Sequence, residues 1–264
     1  MKYGEIVQLG RHRLMCGDAT KYEDIEELLG GDRVNLVLTD PPYGMKCQHK
    51  DGNIGSGKRH VIDPNKTWKN AHPGKKQHTA QAKRYPLIVG DDSQEAARRH
   101  YDIIKHFTKR QIFWGGQYFA HFLPTSGGWL FWNKLTGKSD FSDGELAWRS
   151  FGKRVYYYEQ RWCGTVMSCS CKINAIGGNN PHDTRSRVHP TQKPVELHMQ
   201  ILEDFSEPDD VILDCFGGSG TTLIACQLTG RTCLMMELSP DYCDIIKKRY
   251  ETLTEGVIDF AGCH

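Results

Sequence analysis

The fold is decided by the stretch Val211-Ile212-Leu213-Asp214-Cys215-Phe216-Gly217-Gly218-Ser219-Gly220-Thr221-Thr222. Its apolar first residues predict a buried β-strand, and its glycines predict a turn into a helix over 223–228. A second strand is predicted over 232–236, and Glu237 stands at its tip. Glycines let a ligand approach the backbone, a helix N-terminus offers free N–H groups, and the carboxylate can bind both ribose hydroxyls. This order of elements therefore predicts a nucleoside-binding site.

A second motif, Thr39-Asp40-Pro41-Pro42-Tyr43-Gly44, follows the apolar run at 34–38, which predicts another buried strand. The two prolines must end that strand, because neither can donate a hydrogen bond to a sheet. A carboxylate, a stiff diproline and an aromatic ring are thus held at the C-terminal edge of a strand, where open α/β sheets bind ligands. On these residues alone, a rigid turn without a functional role explains the motif equally well.

The remaining pattern alternates strands and helices along a chain of 264 residues, which suits one large domain. Further helices are predicted over 22–29, 94–107, 194–205 and from 240 to about 253. Further strands are predicted over 5–9, 13–16, 111–114, 128–132, 145–148 and 155–158. We therefore expect an α/β fold built on a parallel sheet.

The position of the glycine loop distinguishes two nucleoside ligands, a dinucleotide and S-adenosylmethionine. After Glu237 only one predicted helix remains, so the other strands of the sheet must come from the N-terminal half. That arrangement places Asp40 and the glycine loop on one edge of one sheet. A dinucleotide fold usually begins with its glycine fingerprint and continues into a second half. The order found here is the reverse, which favours S-adenosylmethionine and disfavours a nicotinamide-dependent oxidoreductase.

Basic residues are concentrated in two segments, although the whole chain has a net charge of only +2. Residues 46–84 contain ten Lys and Arg against two acids, and residues 151–190 contain six against two. The other 185 residues consequently carry a net charge of −10. An acidic scaffold with two basic inserts indicates a polyanionic partner that binds at those two places. Two solvated surface loops are the alternative interpretation.

Several classes of protein are excluded by composition. No apolar stretch is long enough to span a membrane, and residues 1–5 lead into no signal peptide. The ten cysteines are therefore expected to be reduced thiols of a cytoplasmic protein. Cys163, Cys169 and Cys171 have a spacing without a CxxC pair, which disfavours zinc ligation. We predict no metal.

Three motifs together resemble those of the DNA methyltransferases that methylate exocyclic amines, at adenine N6 or cytosine N4. They are Asp40-Pro41-Pro42-Tyr43, Thr191-Gln192-Lys193-Pro194 and the glycine loop 214–222. The catalytic loop precedes the cofactor loop, as in the permuted beta group of that family. The resemblance extends from about residue 14 to 253 apart from the two basic inserts. It departs at Cys215, where the family commonly has proline.

The resemblance implies a single Rossmann-like, S-adenosylmethionine-dependent methyltransferase domain over 1–264. Its sheet is expected to be mixed and mostly parallel, with a circularly permuted motif order. Phe216 to Gly220 would line the methionine part of the cofactor, and Glu237 would hold the ribose hydroxyls. Asp18 would accept from the adenine amino group, and Lys193 with Thr191 would close the methionine end. The complete predicted set is Asp18, Ala19, Thr191, Lys193, Asp214, Phe216, Gly217, Gly218, Ser219, Gly220, Thr221, Thr222, Glu237 and Leu238.

For catalysis, the resemblance implies roles for Asp40, Pro41, Pro42 and Tyr43. An exocyclic amine is a weak nucleophile, since its lone pair is delocalised into the ring. The Asp40 carboxylate and the Pro41 carbonyl would accept its two N–H bonds, and Pro42 would fix that carbonyl. Transfer is then an in-line displacement that depends on positioning and electrostatics, without a covalent enzyme intermediate. The base must be flipped out of the duplex, and Tyr43 would stack on it.

The main question that the resemblance leaves open is which base is methylated. Methylation of cytosine C5 would need a nucleophilic cysteine, usually after proline, and the chain has no Pro-Cys pair. In the resembling family an aspartate in this loop usually accompanies methylation of adenine, whereas a serine accompanies methylation of cytosine. Asp40 therefore favours adenine N6. Cytosine N4, an RNA substrate and a catalytically silent DNA-binding module are the alternatives.

Double-stranded DNA is accordingly the expected partner, bound by the basic inserts 46–84 and 159–190. The second insert occupies the usual position of target recognition in the family, and the first is expected to share that role. A homodimer and a cognate restriction endonuclease are further partners compatible with the resemblance. A bacterial or viral origin is expected.

Overall fold

The structure is a computed structural model that describes residues 1–45, 90–135, 142–163, 166–167, 188–189 and 191–255. The basic insert 46–84 therefore lies outside the described residues, as does most of the insert 159–190. Expectations about DNA contacts in those inserts consequently stay predictions. No helix in the described part of the chain is long and apolar enough to cross a membrane.

The described residues form strands and helices in alternation. The strands are β1 (Ile6–Leu9), β2 (His12–Cys16), β3 (Leu36–Thr39), β4 (Gln111–Trp114), β5 (Gly128–Asn133), β6 (Gly144–Arg149), β7 (Val155–Glu159), β8 (Trp162–Cys163), β9 (Val166–Met167), β10 (Val211–Asp214) and β11 (Thr232–Glu237). The helices are α1 (Tyr22–Leu29), α2 (Glu95–Ile104), α3 (Val195–Phe205), α4 (Thr221–Thr229) and α5 (Pro240–Thr254). Every expected strand and helix is present, so the prediction of an α/β fold is confirmed.

Nine of these strands form one sheet in the order β1-β2-β11-β10-β3-β4-β6-β5-β7. The strands from β2 to β4 in this order run parallel, and β1 lies antiparallel at one edge. On the other side, β6 is antiparallel to both β4 and β5, and β7 is parallel to β5. The expected mixed, mostly parallel sheet is confirmed.

The sheet reverses its winding between β10 and β3, which pair in parallel. From β10 the chain continues through α4 to β11 on one side, whereas β4 follows β3 on the other. Leu36 pairs with Ile212 and Val37 with Leu213, so both strands end at the same edge. Ligands of open α/β sheets bind at such a switch point, outside the carboxyl ends of the strands. The catalytic and glycine motifs follow these two strands and therefore lie side by side.

Helices cover both faces of the sheet. On one face, α3 and α4 bury Leu197 and Ile224 in a cluster that includes Leu36. On the other face, α1 buries Ile25 in a cluster that includes Val37, with α2 beside it. Successive residues of β3 thus enter opposite cores, because side chains alternate along a strand. Burial on both faces explains why the central strands are near-continuous apolar runs.

Three of the differences between observed and expected helix bounds have a clear local reason. Helix α4 begins at Thr221 rather than 223, because Gly220 in the left-handed conformation (φ 78°) already turns the chain into the helix. Helix α2 ends at Ile104 rather than 107, where the hydrogen bonds become those of a tighter turn. Pro194 keeps an extended backbone (ψ 139°) and immediately precedes α3 instead of beginning it.

Candidate active site

The catalytic and glycine motifs meet in one cavity at the carboxyl edge of β3, β10 and β11. Its volume is about 380 Å³, which lies within the range of pockets for small ligands and cofactors. All the predicted site residues except Gly220 line it: Asp18, Ala19, Asp40, Pro41, Pro42, Tyr43, Thr191, Lys193, Asp214, Phe216, Gly217, Gly218, Ser219, Thr221, Thr222, Glu237 and Leu238. Gly220 does not line the cavity but packs against Ile246, because an added Cβ would come within 3.0 Å of that side chain.

Asp214, the last residue of β10, joins the two motifs through hydrogen bonds to both. Its Oδ1 accepts from Thr39 Oγ1 (3.0 Å) and from the Phe216 N–H (3.2 Å), and its Oδ2 accepts from Thr222 Oγ1 (2.6 Å). Burial raises the pKa of Asp214 to about 7, although these hydrogen bonds oppose the shift. The carboxyl group is thus engaged by protein groups that fix the glycine turn to the strand.

Glu237, at the end of β11, faces the glycine turn from the neighbouring strand. Its Oε2 accepts from the Gly218 N–H (2.7 Å) and its Oε1 from the Ser239 N–H (2.9 Å). Burial raises the pKa of Glu237, an effect that the backbone hydrogen bonds reduce. Gly217 has no room for a side chain, because a Cβ would come within 2.9 Å of Met235. The turn therefore places backbone without side chains against a half-buried carboxylate.

The loop after β2 forms a third wall of the cavity. Asp18 Oδ1 accepts from the N–H and the hydroxyl of Thr20 (2.9 and 2.7 Å). The next carbonyl, of Ala19, is 3.1 Å from His100 Nδ1, and the His100 ring stands edge-on to Phe216 with centroids 5.0 Å apart. Burial lowers the pKa of His100 to about 4, so a neutral ring supports Phe216 by packing. His100 was not identified from the sequence, because a histidine within an apolar helical pattern carries no signal of a site.

Asp40 enters the cavity from the end of β3, and both of its carboxylate oxygens have partners. Tyr43 Oη donates to Oδ1 (2.6 Å), and Lys193 Nζ donates to Oδ2. The Tyr43 ring stacks on Tyr118 with centroids 5.1 Å apart and lies against Gly115, where a Cβ would come within 2.2 Å of it. Burial and the charge of Asp40 raise the pKa of Tyr43, so its hydroxyl stays protonated and donates.

A charge cluster, made of Asp40, Lys193, Glu145 and Lys134, borders the catalytic loop. Lys134 Nζ donates to Glu145 Oε1, and Glu145 Oε2 lies 3.4 Å from Lys193 Nζ. Burial opposes charge on Lys193, but Asp40 and Glu145 outweigh it and raise the pKa of Lys193. Burial likewise opposes ionisation of Glu145, but the two lysines lower its pKa. We expected Lys193 at the methionine end of the cofactor, and the structure also brings it to Asp40.

Thr191 reaches the cavity together with His189. The N–H and hydroxyl of Thr191 lie 3.3 and 3.2 Å from His189 Nδ1, and the His189 ring packs on Tyr242 with centroids 4.6 Å apart. The same ring covers Gly218, since a Cβ there would come within 3.6 Å of it. Burial, with a contribution from Lys193, lowers the pKa of His189 to about 3. A neutral imidazole therefore borders the glycine turn, a role that the sequence did not indicate.

The cavity has the chemical features that S-adenosylmethionine requires. Carboxylates on Glu237 and Asp18 stand at or just beyond the tips of the neighbouring strands β11 and β2, where they suit the hydroxyl and amino donors of a nucleoside. The backbone of Gly218 (φ 51°) borders the cavity, and a side chain at this position would narrow it. The residues present therefore fit this cofactor. Within the described ranges, no group of three or more His, Cys, Asp or Glu could hold a metal ion.

The sheet and its cavity are those of an α/β enzyme that binds a nucleoside at a topological switch point. The protein belongs to the N6/N4 DNA methylase family, because the model of that family matches residues 59–248, most of the chain. It is a DNA methyltransferase that acts on an exocyclic amino group, with S-adenosylmethionine as the methyl donor. The resemblance drawn from the three motifs is thus confirmed, whereas the roles of individual residues stay predictions.

Individual relatives agree with this membership. Type II methyltransferase M.HpaI of Haemophilus parainfluenzae is 22% identical over 272 residues, which cover 92% of this chain and 76% of that protein. Type II methyltransferase M2.MboI of Moraxella bovis is 42% identical over 66 residues, or 25% of this chain and 24% of that protein. The solved structure of PvuII DNA methyltransferase (cytosine-N4-specific) has a TM-score of 0.54 at 15% identity, over 96% of this chain and 94% of its own. That similarity shows a shared fold and does not bear on the base.

Proposed function

We propose that the protein transfers a methyl group to the exocyclic N6 of an adenine flipped out of double-stranded DNA. The observation that carries the proposal is the position of Asp40, whose carboxylate shares one cavity with the glycine turn and Glu237. In the resembling family an aspartate at this place in the loop accompanies adenine, and a serine accompanies cytosine. Cytosine N4 is the competing outcome.

The chemistry of an exocyclic amine explains why a carboxylate and a carbonyl are useful here. The nitrogen must become more tetrahedral before its lone pair can attack, and acceptors for both N–H bonds favour that geometry. Asp40 would accept one of these bonds and the Pro41 carbonyl the other, while the ring of Pro42 restricts the backbone. When bound, S-adenosylmethionine supplies the methyl group, and the electron pair of the broken C–S bond stays on sulfur. The methylated nitrogen then gives up one proton, for which Asp40 offers a carboxylate.

The cofactor residues are proposed to act by holding the methyl donor in place. Glu237 would bind the ribose hydroxyls from the end of β11, and Asp18 would bind the adenine amino group from the loop after β2. The N–H groups of Gly218 and Ser239 orient the Glu237 carboxylate in advance. Such preorganisation reduces the entropy lost on binding. The rate enhancement would therefore come from positioning and electrostatics rather than from a covalent intermediate.

Tyr43 is proposed to stack on the flipped base. One face of its ring is supported by Tyr118, and its hydroxyl is bonded to Asp40. The ring therefore has a fixed position relative to the carboxylate that would receive the amine. A base stacked on Tyr43 would present its amino group at the edge of the catalytic loop.

The basic segments 46–84 and 159–190 are proposed to hold the DNA. Asp91 Oδ1 accepts from the N–H groups of Gly44 (3.1 Å) and Met45 (3.2 Å), so the chain on either side of the first segment is joined beside the catalytic loop. Removal of either segment should weaken DNA binding and reduce its dependence on salt. Unchanged binding would contradict this part of the proposal.

In vitro methylation tests the reaction. Purified protein is incubated with unmethylated DNA and isotope-labelled S-adenosylmethionine, and the nucleosides are analysed by mass spectrometry. N6-methyladenine supports the proposal, whereas N4-methylcytosine overturns the choice of base, and no methylated base favours a silent DNA-binding module. Asp40→Ala should abolish transfer while the cofactor Kd, measured by calorimetry, changes less than about threefold. Activity that survives this substitution would refute the mechanism.

A partner endonuclease is proposed because M.HpaI and M2.MboI are named type II methyltransferases. Sequencing of DNA from expressing cells, with detection of modified bases, reports the base and its target sequence together. A single sequence methylated at nearly every occurrence supports a protective role, and scattered modification without a common sequence argues against it. A homodimer is a separate expectation, which a monomeric sedimentation coefficient would contradict.

A further inference from the structure

Glu145 is a half-buried carboxylate on β6, with a buried Oε2 atom, whose position the proposed function does not explain. Its Oε1 accepts from Lys134 Nζ, whereas its Oε2 lies 3.4 Å from Lys193 Nζ and has no hydrogen-bond partner among the described residues. We propose that Glu145 is a positioning residue for methyl transfer, which draws the Lys193 ammonium away from Asp40 when the substrate amine arrives. This inference rests on the proposed role of Asp40 as an acceptor for that amine.

Asp40 is engaged in a way that competes with its proposed role. Tyr43 donates to one carboxylate oxygen and the Lys193 ammonium to the other. The Lys193 ammonium and the Asp40 carboxylate are both charged, so their hydrogen bond is stronger than one that a neutral amine donates to the same oxygen. A neutral amine would therefore bind Asp40 best when Lys193 has another anion to pair with.

Lys193 needs a second anion close by if it is to leave Asp40. Its side chain is only 5% exposed, and a buried ammonium without a partner is strongly unfavourable. Glu145 offers a carboxylate oxygen within 3.4 Å, so a small movement of Nζ exchanges one partner for the other. The Trp114 ring, with its centroid 5.0 Å from Nζ, supports the ammonium during this movement.

No neighbouring histidine competes with Lys193 for Glu145. His198 and His189 both interact with the Lys193 charge, and burial lowers the pKa of each to about 3. Both imidazoles are therefore neutral at physiological pH. Among the described residues, Glu145 forms ion pairs with Lys193 and Lys134 alone.

Lys134 holds Glu145 in the orientation that the exchange requires. It donates to Oε1, which leaves Oε2 facing Lys193. The charge cluster contains two cations and two anions, so its net charge is the same in both arrangements. The exchange frees the Asp40 carboxylate from Lys193 at the moment when the amine nitrogen gains positive charge. Asp40 can then stabilise that charge. Stabilisation that develops only in the transition state raises kcat.

Glu145→Gln is the test variant, because it removes the charge and keeps the shape of the side chain. We expect kcat for DNA methylation to fall by about tenfold to a hundredfold, with the Kd of S-adenosylmethionine and the KM for DNA within about threefold. Glu251→Gln is the matched control: the same change at an exposed glutamate of α5, which pairs with Lys247 (3.9 Å). Its kcat should equal that of the wild type. A kcat for Glu145→Gln within about twofold of the control would overturn the proposal.

A double-mutant cycle separates positioning through Lys193 from a general loss of structure. In a Lys193→Met background, Glu145→Gln should cause no further loss of kcat, because no ammonium remains to be moved. Independent, additive losses would overturn the proposal. The pair Lys134→Met and Glu145→Gln avoids leaving Lys134 without its anion and should show the same low kcat as Glu145→Gln. Full activity in that pair would likewise overturn it.

Asp40→Ala, assayed alongside, distinguishes the failure of this inference from the failure of the proposed function. Loss of transfer in Asp40→Ala with full activity in Glu145→Gln rejects the role of Glu145 and leaves the proposed function standing. Full activity in Asp40→Ala rejects both.

Discussion

Asp214 should make the protein less stable as the pH rises, and Asp214→Asn should remove this effect. The carboxyl group is buried, and its pKa is raised to about 7 from an ordinary value of 3.8. Between these two pH values, the unfolded chain loses this proton while the folded chain keeps it. The free energy of unfolding falls with pH wherever the folded state binds more protons. The decrease begins near the unfolded pKa and is complete above the folded one.

The magnitude follows from the distance between the two pKa values. Each pKa unit corresponds to about 1.36 kcal/mol, so a shift of about three units corresponds to about 4 kcal/mol. This is a large part of the roughly 5–15 kcal/mol that separates folded from unfolded states in typical proteins. Asparagine at this position has no proton to lose. Its amide can donate to the Thr222 hydroxyl, which now donates to Asp214 Oδ2 (2.6 Å).

Urea unfolding at a series of pH values, followed by tryptophan fluorescence, measures the effect, since Trp114 and Trp132 are buried in the fold. The free energy of unfolding of Asp214→Asn minus that of the wild type should rise by about 4 kcal/mol from about pH 4 to pH 8. Other titrating groups cancel in this difference. Thr39→Val, which removes a donor to the carboxylate, should move the change to higher pH. A difference that is constant with pH would refute the reasoning.

Three further predictions concern the walls of the cavity. Glu237→Gln should weaken S-adenosylmethionine binding at least about tenfold in calorimetry, and equal affinities in the variant and the wild type would contradict this role. Because burial raises the pKa of Glu237, the wild-type affinity should fall on acidification at a higher pH than for an ordinary glutamate. Gly115→Ala (φ 70°) should displace Tyr43, lower kcat and cost about 1–3 kcal/mol in thermal unfolding; wild-type kcat would show that the ring does not matter. Asp91→Ala removes the acceptor for two N–H groups that follow Tyr43 and should lower kcat about tenfold. Asp91→Asn keeps an acceptor oxygen and should retain most activity, and equal losses in the two variants would exclude a loop-fixing role.

The strands could be predicted from the sequence because each is a short apolar run between turn residues. The chain-order argument also placed the catalytic loop beside the glycine loop, and the pairing of β3 with β10 confirms it. The direction of β6 could not be predicted in this way. Its sequence is compatible with either direction, and only its neighbours β4 and β5 make it antiparallel. Pairing of this kind depends on contacts between distant parts of the chain, which a local pattern does not contain.

Some residues of the candidate site could likewise be predicted from the sequence, whereas others could not. Asp40 and the glycine turn could be predicted, because their chemistry comes with a recognisable spacing. Glu145 could not, since a single acid within a strand faces a cavity or solvent according to the register of the sheet. The sequence gives even less indication of a role for His100, because this residue lies on a helix and acts by packing on Phe216. Supporting residues thus become visible only when the tertiary structure brings them to the predicted ones.

The site also explains how a chain in which the catalytic loop precedes the glycine loop can bring the two loops together. Thr39 and Asp214 are 175 positions apart in sequence, and Asp40 and Lys193 are 153 apart, yet each pair is hydrogen bonded across the switch point. The sheet fixes β3 beside β10 through their backbone ladder, whichever of them comes first in the chain. Communication between the catalytic loop and the cofactor loop then depends on these two side-chain links rather than on the covalent path. Loss of either link from the catalytic side, by Thr39→Val or Asp40→Ala, should impair methyl transfer before it impairs cofactor binding, because Asp214, Lys193 and the glycine turn stay in place.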